Sequence, residues 1–163
     1  MNTDFQVIAA PIKDFSYLFA LSDQELKSID AKRVTATKWP GFPCRVSLQD
    51  AQPGEKVILV NYAHHVVNSP YKSTGPIFVR EAAAEAKLQK NELPIMLFHR
   101  QMSVRAYNAK GMMLNAKVVD GELLETCIRE LFGNEKIAYL HVHNASPGCF
   151  NCLIERASES VNR

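Results

Sequence analysis

Short turns in the second half of the chain limit its topology more than any other feature. Asn108-Ala109-Lys110-Gly111 separates two apolar-alternating runs, Met102 to Tyr107 and Met112 to Val119, and Gly111 is placed for the left-handed residue of a hairpin turn. Ser146-Pro147-Gly148 likewise separates Ile137 to Asn144 from Phe150 to Arg156. Runs joined this closely pair antiparallel, because a parallel crossover needs a dozen or more residues. The fold class expected is therefore α+β, with a mainly antiparallel sheet and two or three helices.

The first half is less regular. Phe5 to Ala10 predicts a short strand stopped by Pro11. Ser22-Asp23-Gln24-Glu25 has the spacing of a capping box and predicts a helix reaching about Asp30. Arg33 to Thr37 is a candidate strand, and Lys56 to Ala63, apolar on both faces, reads as a central one. A long connection is expected from His64 to Pro76, with strand resuming at Ile77 to Arg80. The Ala-rich run Glu81 to Lys90 and the amphipathic run Glu122 to Phe132 predict helices, the second stopped by Gly133-Asn134.

The 163 residues suit one domain, residues 1–163, of which 157–163 form a polar tail. With 47% hydrophobic and 22% charged residues, the composition is that of a folded chain. Nineteen basic and 17 acidic residues are mixed along it, giving +2 overall, and no basic stripe supports a nucleic-acid partner. The early apolar run Val7 to Ala10 is too short for a signal or a membrane span, so no membrane partner and a cytoplasmic location are expected. Four reduced cysteines follow from that location. Cys127 shares helical spacing with Leu124, Ile128 and Leu131 and reads as a core thiol.

Chemistry concentrates in His141-Val142-His143-Asn144-Ala145-Ser146-Pro147-Gly148-Cys149-Phe150-Asn151-Cys152. Strand alternation puts Ala138, Leu140 and Val142 on one face and Tyr139, His141 and His143 on the other. His141, His143, Cys149 and Cys152 are all zinc-competent, although no cofactor is required by the pattern and Cys152 can point inward. A Cys149 nucleophile assisted by His141 or His143 is a second reading, and the three are the candidate catalytic residues. A redox pair fits less well, since a strand rather than a helix follows the first thiol. The same residues can also fill a semi-buried hairpin with no chemistry. The histidine-triad pattern is excluded, because Ala145 stands at its third position.

Arginines recur beside strand ends: Arg45, Arg80, Arg105 and Arg156. Several in one cleft would suit a carboxylate or phosphate, the guanidinium being a planar fork of donors. Tyr71, Arg80 and Arg105 are the candidate ligand-binding residues, and a small anionic molecule is the expected partner. Of the adjacent pair His64-His65, alternation allows one to join such a cleft. An interaction module with a purely structural His-Cys hairpin, or a zinc-stabilised fold, are the alternatives.

Pro43-Cys44-Arg45-Val46-Ser47-Leu48, Pro53-Gly54-Glu55, Ser69-Pro70-Tyr71, Gly75-Pro76-Ile77-Phe78-Val79-Arg80, His141-Val142-His143-Asn144 and Pro147-Gly148-Cys149-Phe150 together resemble a bacterial family of domains of unknown function, number twelve-oh-three of its series. The resemblance spans nearly the whole chain. It implies a stand-alone bacterial domain and supplies no catalytic residues.

Overall fold

Hairpin pairing dominates the computed structural model, which describes residues 2–158. Eight strands are formed: β1 (Phe5–Ile8), β2 (Lys32–Thr35), β3 (Lys56–His65), β4 (Ser73–Arg80), β5 (Gln101–Tyr107), β6 (Met113–Asp120), β7 (Tyr139–Asn144) and β8 (Phe150–Arg156). Two α-helices, α1 (Asp23–Ser28) and α2 (Leu124–Phe132), and short 3₁₀ turns complete the described residues. The strands make a five-stranded sheet in the order β1-β8-β7-β5-β6 and a three-stranded sheet in the order β2-β3-β4. Every strand pair is antiparallel, as the α+β reading required. No helix is long and apolar enough to cross a membrane among the described residues.

Local chemistry accounts for most boundaries. The Ser22 hydroxyl accepts from Glu25 N–H at 3.1 Å while the Glu25 carboxylate accepts from Ser22 N–H at 3.3 Å, so α1 starts on a complete capping box. In the β5–β6 turn, Asn108 Oδ1 accepts from Lys110 N–H and Met112 N–H, and Gly111 holds φ +76°. Helix α2 buries Leu124, Cys127, Ile128, Leu131 and Phe132 against one face of the large sheet, where they meet Met102, Val104, Leu140, Val142, Cys152 and Ile154. Each such side chain contributes roughly 1.5–3 kcal/mol through burial. A second core, including Phe15, Leu18, Leu26, Ile58, Ile77 and Val79, packs around the small sheet.

Two expectations fail. Glu81 to Lys90 is not helical but irregular. Tertiary partners claim its backbone: Ala86 N–H donates to Val46 O at 2.8 Å, Leu88 O accepts from Gln6 Nε2 at 2.7 Å, and Lys87 forms a bridge with Ile8. Contacts of this kind outweigh a few tenths of a kcal/mol of alanine propensity per residue. The connection after β3 is also shorter than expected, because β3 continues to His65 and β4 already begins at Ser73. Pro76 is accommodated within β4, where it stands opposite Asn61. Of the polar tail 157–163, residues 159–163 lie outside the described part.

Candidate functional site

Strand β7 carries the alternation read from its sequence. Leu140 and Val142 enter the α2 core, and Tyr139, His141 and His143 face the other way. Cross-strand register adds to that second face: His141 stands opposite Arg105, His143 opposite Ser103 and Phe150, and Tyr139 opposite Tyr107. The face is closed at the histidines. His141 is 3% and His143 1% exposed, because the far end of β3 lies over them. Of the residues around them, His64 and Arg105 are only half-buried.

His64 and His65 both join this seam between the sheets. Their ring centroids lie 5.9 Å and 4.7 Å from that of His141, and His64 lies 5.1 Å from His143. Alternation would have sent one of them away. A register shift in β3 between Tyr62 and His65 breaks the two-residue period and turns both rings to the same side. His64 stacks on Phe150 at 5.0 Å with an interplanar angle of 11°.

The two rings have different surroundings. His65 is fully engaged: its Nδ1 meets Tyr71 O at 2.7 Å and its Nε2 meets Tyr139 Oη at 2.6 Å. His64 Nδ1, His141 Nδ1 and His143 Nε2 are buried and have no hydrogen-bond partner among the described residues. One ring nitrogen from each of these three residues lies within 4.8 Å of those of the other two, the only such His, Cys, Asp or Glu set among the described residues. His143 Nδ1–H donates to Gly148 O at 2.9 Å, which leaves the lone pair of the neutral ring on Nε2.

Burial keeps these imidazoles neutral. It lowers His141 to about 2, helped by the neighbouring histidines and Arg105. His143 is held down to about 3, again mainly by burial, with Gly148 O opposing. His64 is shifted down for the same reason, burial again being the largest cause.

The remaining candidates divide between this seam and other places. Tyr71 reaches it through Tyr107, ring centroids 6.0 Å apart, and through its carbonyl on His65. Arg80 does not come near; it donates to Glu55 at 2.6 and 2.9 Å on the small sheet. Cys152, opposite Val142, sits in the α2 core, and complete burial pushes its thiol up to about 12. Cys149 Sγ accepts from Arg45 Nη2 at 3.0 Å and Asn144 Nδ2 at 3.3 Å, in a separate cleft of about 380 Å³ lined by Pro40, Pro43, Arg45, Phe78, Asn144 and Cys149 among others. A larger groove of about 620 Å³ past Trp39 and Ile95 takes in none of the candidate site residues.

Sequence reasoning missed two residues. His64 could not be chosen from an adjacent pair, since a bulge has no signature there. Arg45, which the sequence offered as one of several arginines for an anion cleft and not as a buried tie, is 1% exposed and donates from Nε to Phe150 O at 2.7 Å and from Nη1 to Pro43 O. The Cys44-Arg45 block that carried the family resemblance was its one signal.

A family model described as "Protein of unknown function (DUF1203)" matches residues 41–156. The chain belongs to that family. The matched span of DUF1203 holds His64, His65, Tyr71, Arg105, His141, His143 and Cys149, and so the seam described above. No curated protein matches the chain, and no solved structure does.

Proposed function

We propose that the domain binds a small anionic ligand, of the carboxylate or phosphate class, where Arg105 meets the histidines of the seam. The observation that carries this reading is the state of Arg105. Arg33, Arg80, Arg100 and Arg129 each meet a carboxylate, Arg156 holds four backbone carbonyls, and Arg45 holds two carbonyls and the Cys149 sulfur. The Arg105 side chain hydrogen-bonds only the Ser103 hydroxyl, at 3.3 Å from Nε, and pairs with no carboxylate among the described residues.

A half-buried guanidinium with unused donors beside neutral rings is a positive site in reduced dielectric, where an anion gains more than it would in bulk water. Neutral histidines suit such a ligand, since they offer ring donors and acceptors without adding net charge. Tyr71, Tyr107 and Tyr139 form an aromatic wall, with Tyr107 and Tyr139 stacked at 5.4 Å. The His64–Arg105 edge is the half-exposed approach. His141 and His143 would then act on the ligand, and Cys149 would take no part, being committed to Arg45 and Asn144 in its own cleft.

Calorimetric titration with inorganic phosphate and with acetate tests this. The reading expects Arg105→Met to abolish the binding seen with the unaltered protein and Arg80→Met to leave it intact. Equal binding by the unaltered protein and Arg105→Met, or no binding of either anion by the unaltered protein, would overturn it.

A further inference from the structure

Three buried ring nitrogens without a hydrogen-bond partner among the described residues, on three neighbouring histidines, are unusual for groups that only pack. An unpaired buried acceptor costs about 1–3 kcal/mol, and here three occur together on His64, His141 and His143. Hydrogen bonding among them is no remedy for all three, because a neutral ring has one donor. The same three residues bring one ring nitrogen each within 4.8 Å of the others, and an electron-pair acceptor placed there would take a lone pair from each.

We propose that His64, His141 and His143 form a three-histidine site for one divalent transition-metal ion of the zinc class. The distances allow it. Points no more than 4.8 Å apart share a centre at most 4.8/√3, about 2.8 Å, from each. A shift of under about 1 Å per ring then reaches the zinc–nitrogen distance of ~2.0–2.1 Å. The donor set is all imidazole nitrogen, which suits zinc and its neighbours rather than calcium or magnesium. The Gly148 carbonyl orients the His143 ring and fixes its lone pair on the unpartnered nitrogen, the arrangement that metal-bound histidines generally have.

The other sulfur and nitrogen donors are accounted for. Both nitrogens of His65 are taken, Cys149 faces Arg45 and Asn144, and Cys152 lies in the α2 core. The set therefore differs from the His141, His143, Cys149 and Cys152 set that the sequence offered. Its members come from β3 and β7, on two different sheets, so the ion would also pin the sheets together.

Three protein ligands leave a coordination position open. None of the three is a carboxylate, so the ion keeps its full charge, with Arg105 alongside. A small oxyanion is the matching fourth ligand, and this last step rests on the anion-binding reading above.

The test uses full-length protein freed of metal by a chelator and titrated with cobalt(II), then zinc(II), in buffer without coordinating anions. One equivalent per chain is expected, with visible bands of four-coordinate cobalt. His64→Gln, His141→Gln and His143→Gln should each weaken binding by about 100-fold or more, and His99→Gln should not. His64 is half-exposed, so its variant keeps the test valid should the buried replacements fail to fold. Stoichiometric binding unchanged in His64→Gln, thiolate-to-cobalt absorption, or no binding below about 100 μM would each overturn the site. Metal binding without phosphate binding would overturn only the anion reading; phosphate binding to chelated protein that takes no cobalt would overturn only the metal.

Discussion

Arg45 shows how much one residue can decide in this domain. Its guanidinium is buried and ties the Pro43 loop to Phe150 and Cys149 on β8 and its turn. Burial pulls this guanidinium down from its usual range, with Cys149 opposing. Arg45→Met would remove the Arg45 donors from two buried carbonyls and from the Cys149 sulfur, at a cost of about 3 kcal/mol or more. Urea midpoints check this, and an unchanged midpoint would mean that water replaces the lost donors. The histidines give a second residue-scale prediction, for metal-free protein. His141 and His143 have folded-state values of about 2 and about 3 against an ordinary 6.5. Below pH 6.5 the unfolded chain binds protons that the folded chain refuses. Stability is therefore complete above that pH and falls as pH drops toward the folded values. From pH 7 to 5 each histidine removes about 2 kcal/mol. Denaturation at both pH values should show that loss in the unaltered protein and about half of it in His141→Gln.

At the scale of elements, the sequence was clearest where structure follows local rules. The α1 capping box, the Gly111 turn, the α2 stripe and the two faces of β7 each rest on spacing alone, and each is present. What failed depended on distant partners. The Glu81 to Lys90 run was taken over by contacts of its backbone with β1 and with Val46, and the β3 bulge arises in pairing with β4. The same limit governed the site: His141, His143 and Arg105 were legible from alternation and pairing, but His64 needed the bulge. The Gly111 turn gives a prediction with a built-in control. Its φ of +76° disfavours any side chain, and a Cβ there would meet Val67 at 2.9 Å. Gly111→Val should cost about 2 kcal/mol or more, while Lys110→Ala stays within about 0.5 kcal/mol. Equal urea midpoints for the two variants would contradict the turn.

For the whole molecule, the proposed function belongs to the seam between two sheets rather than to either sheet. One face of the large sheet is closed by α2 over a mainly apolar core, with Lys117 and Arg156 reaching α2 at its margin; the other is closed by β3 and carries histidine, tyrosine and arginine. The four cysteines are all unpaired and none is needed to join the layers, so a mild reductant should leave the thermal midpoint unchanged. A large drop would reveal a disulfide that this arrangement does not contain. The most direct test of the seam as the functional site is a long-range proton–nitrogen spectrum of the histidine rings, recorded on the purified protein before and after inorganic phosphate. The His64, His141 and His143 ring signals should move in the unaltered protein and stay fixed in Arg105→Met, with His99 unmoved in both. Shifts confined to His99, or shifts that survive Arg105→Met, would contradict the account.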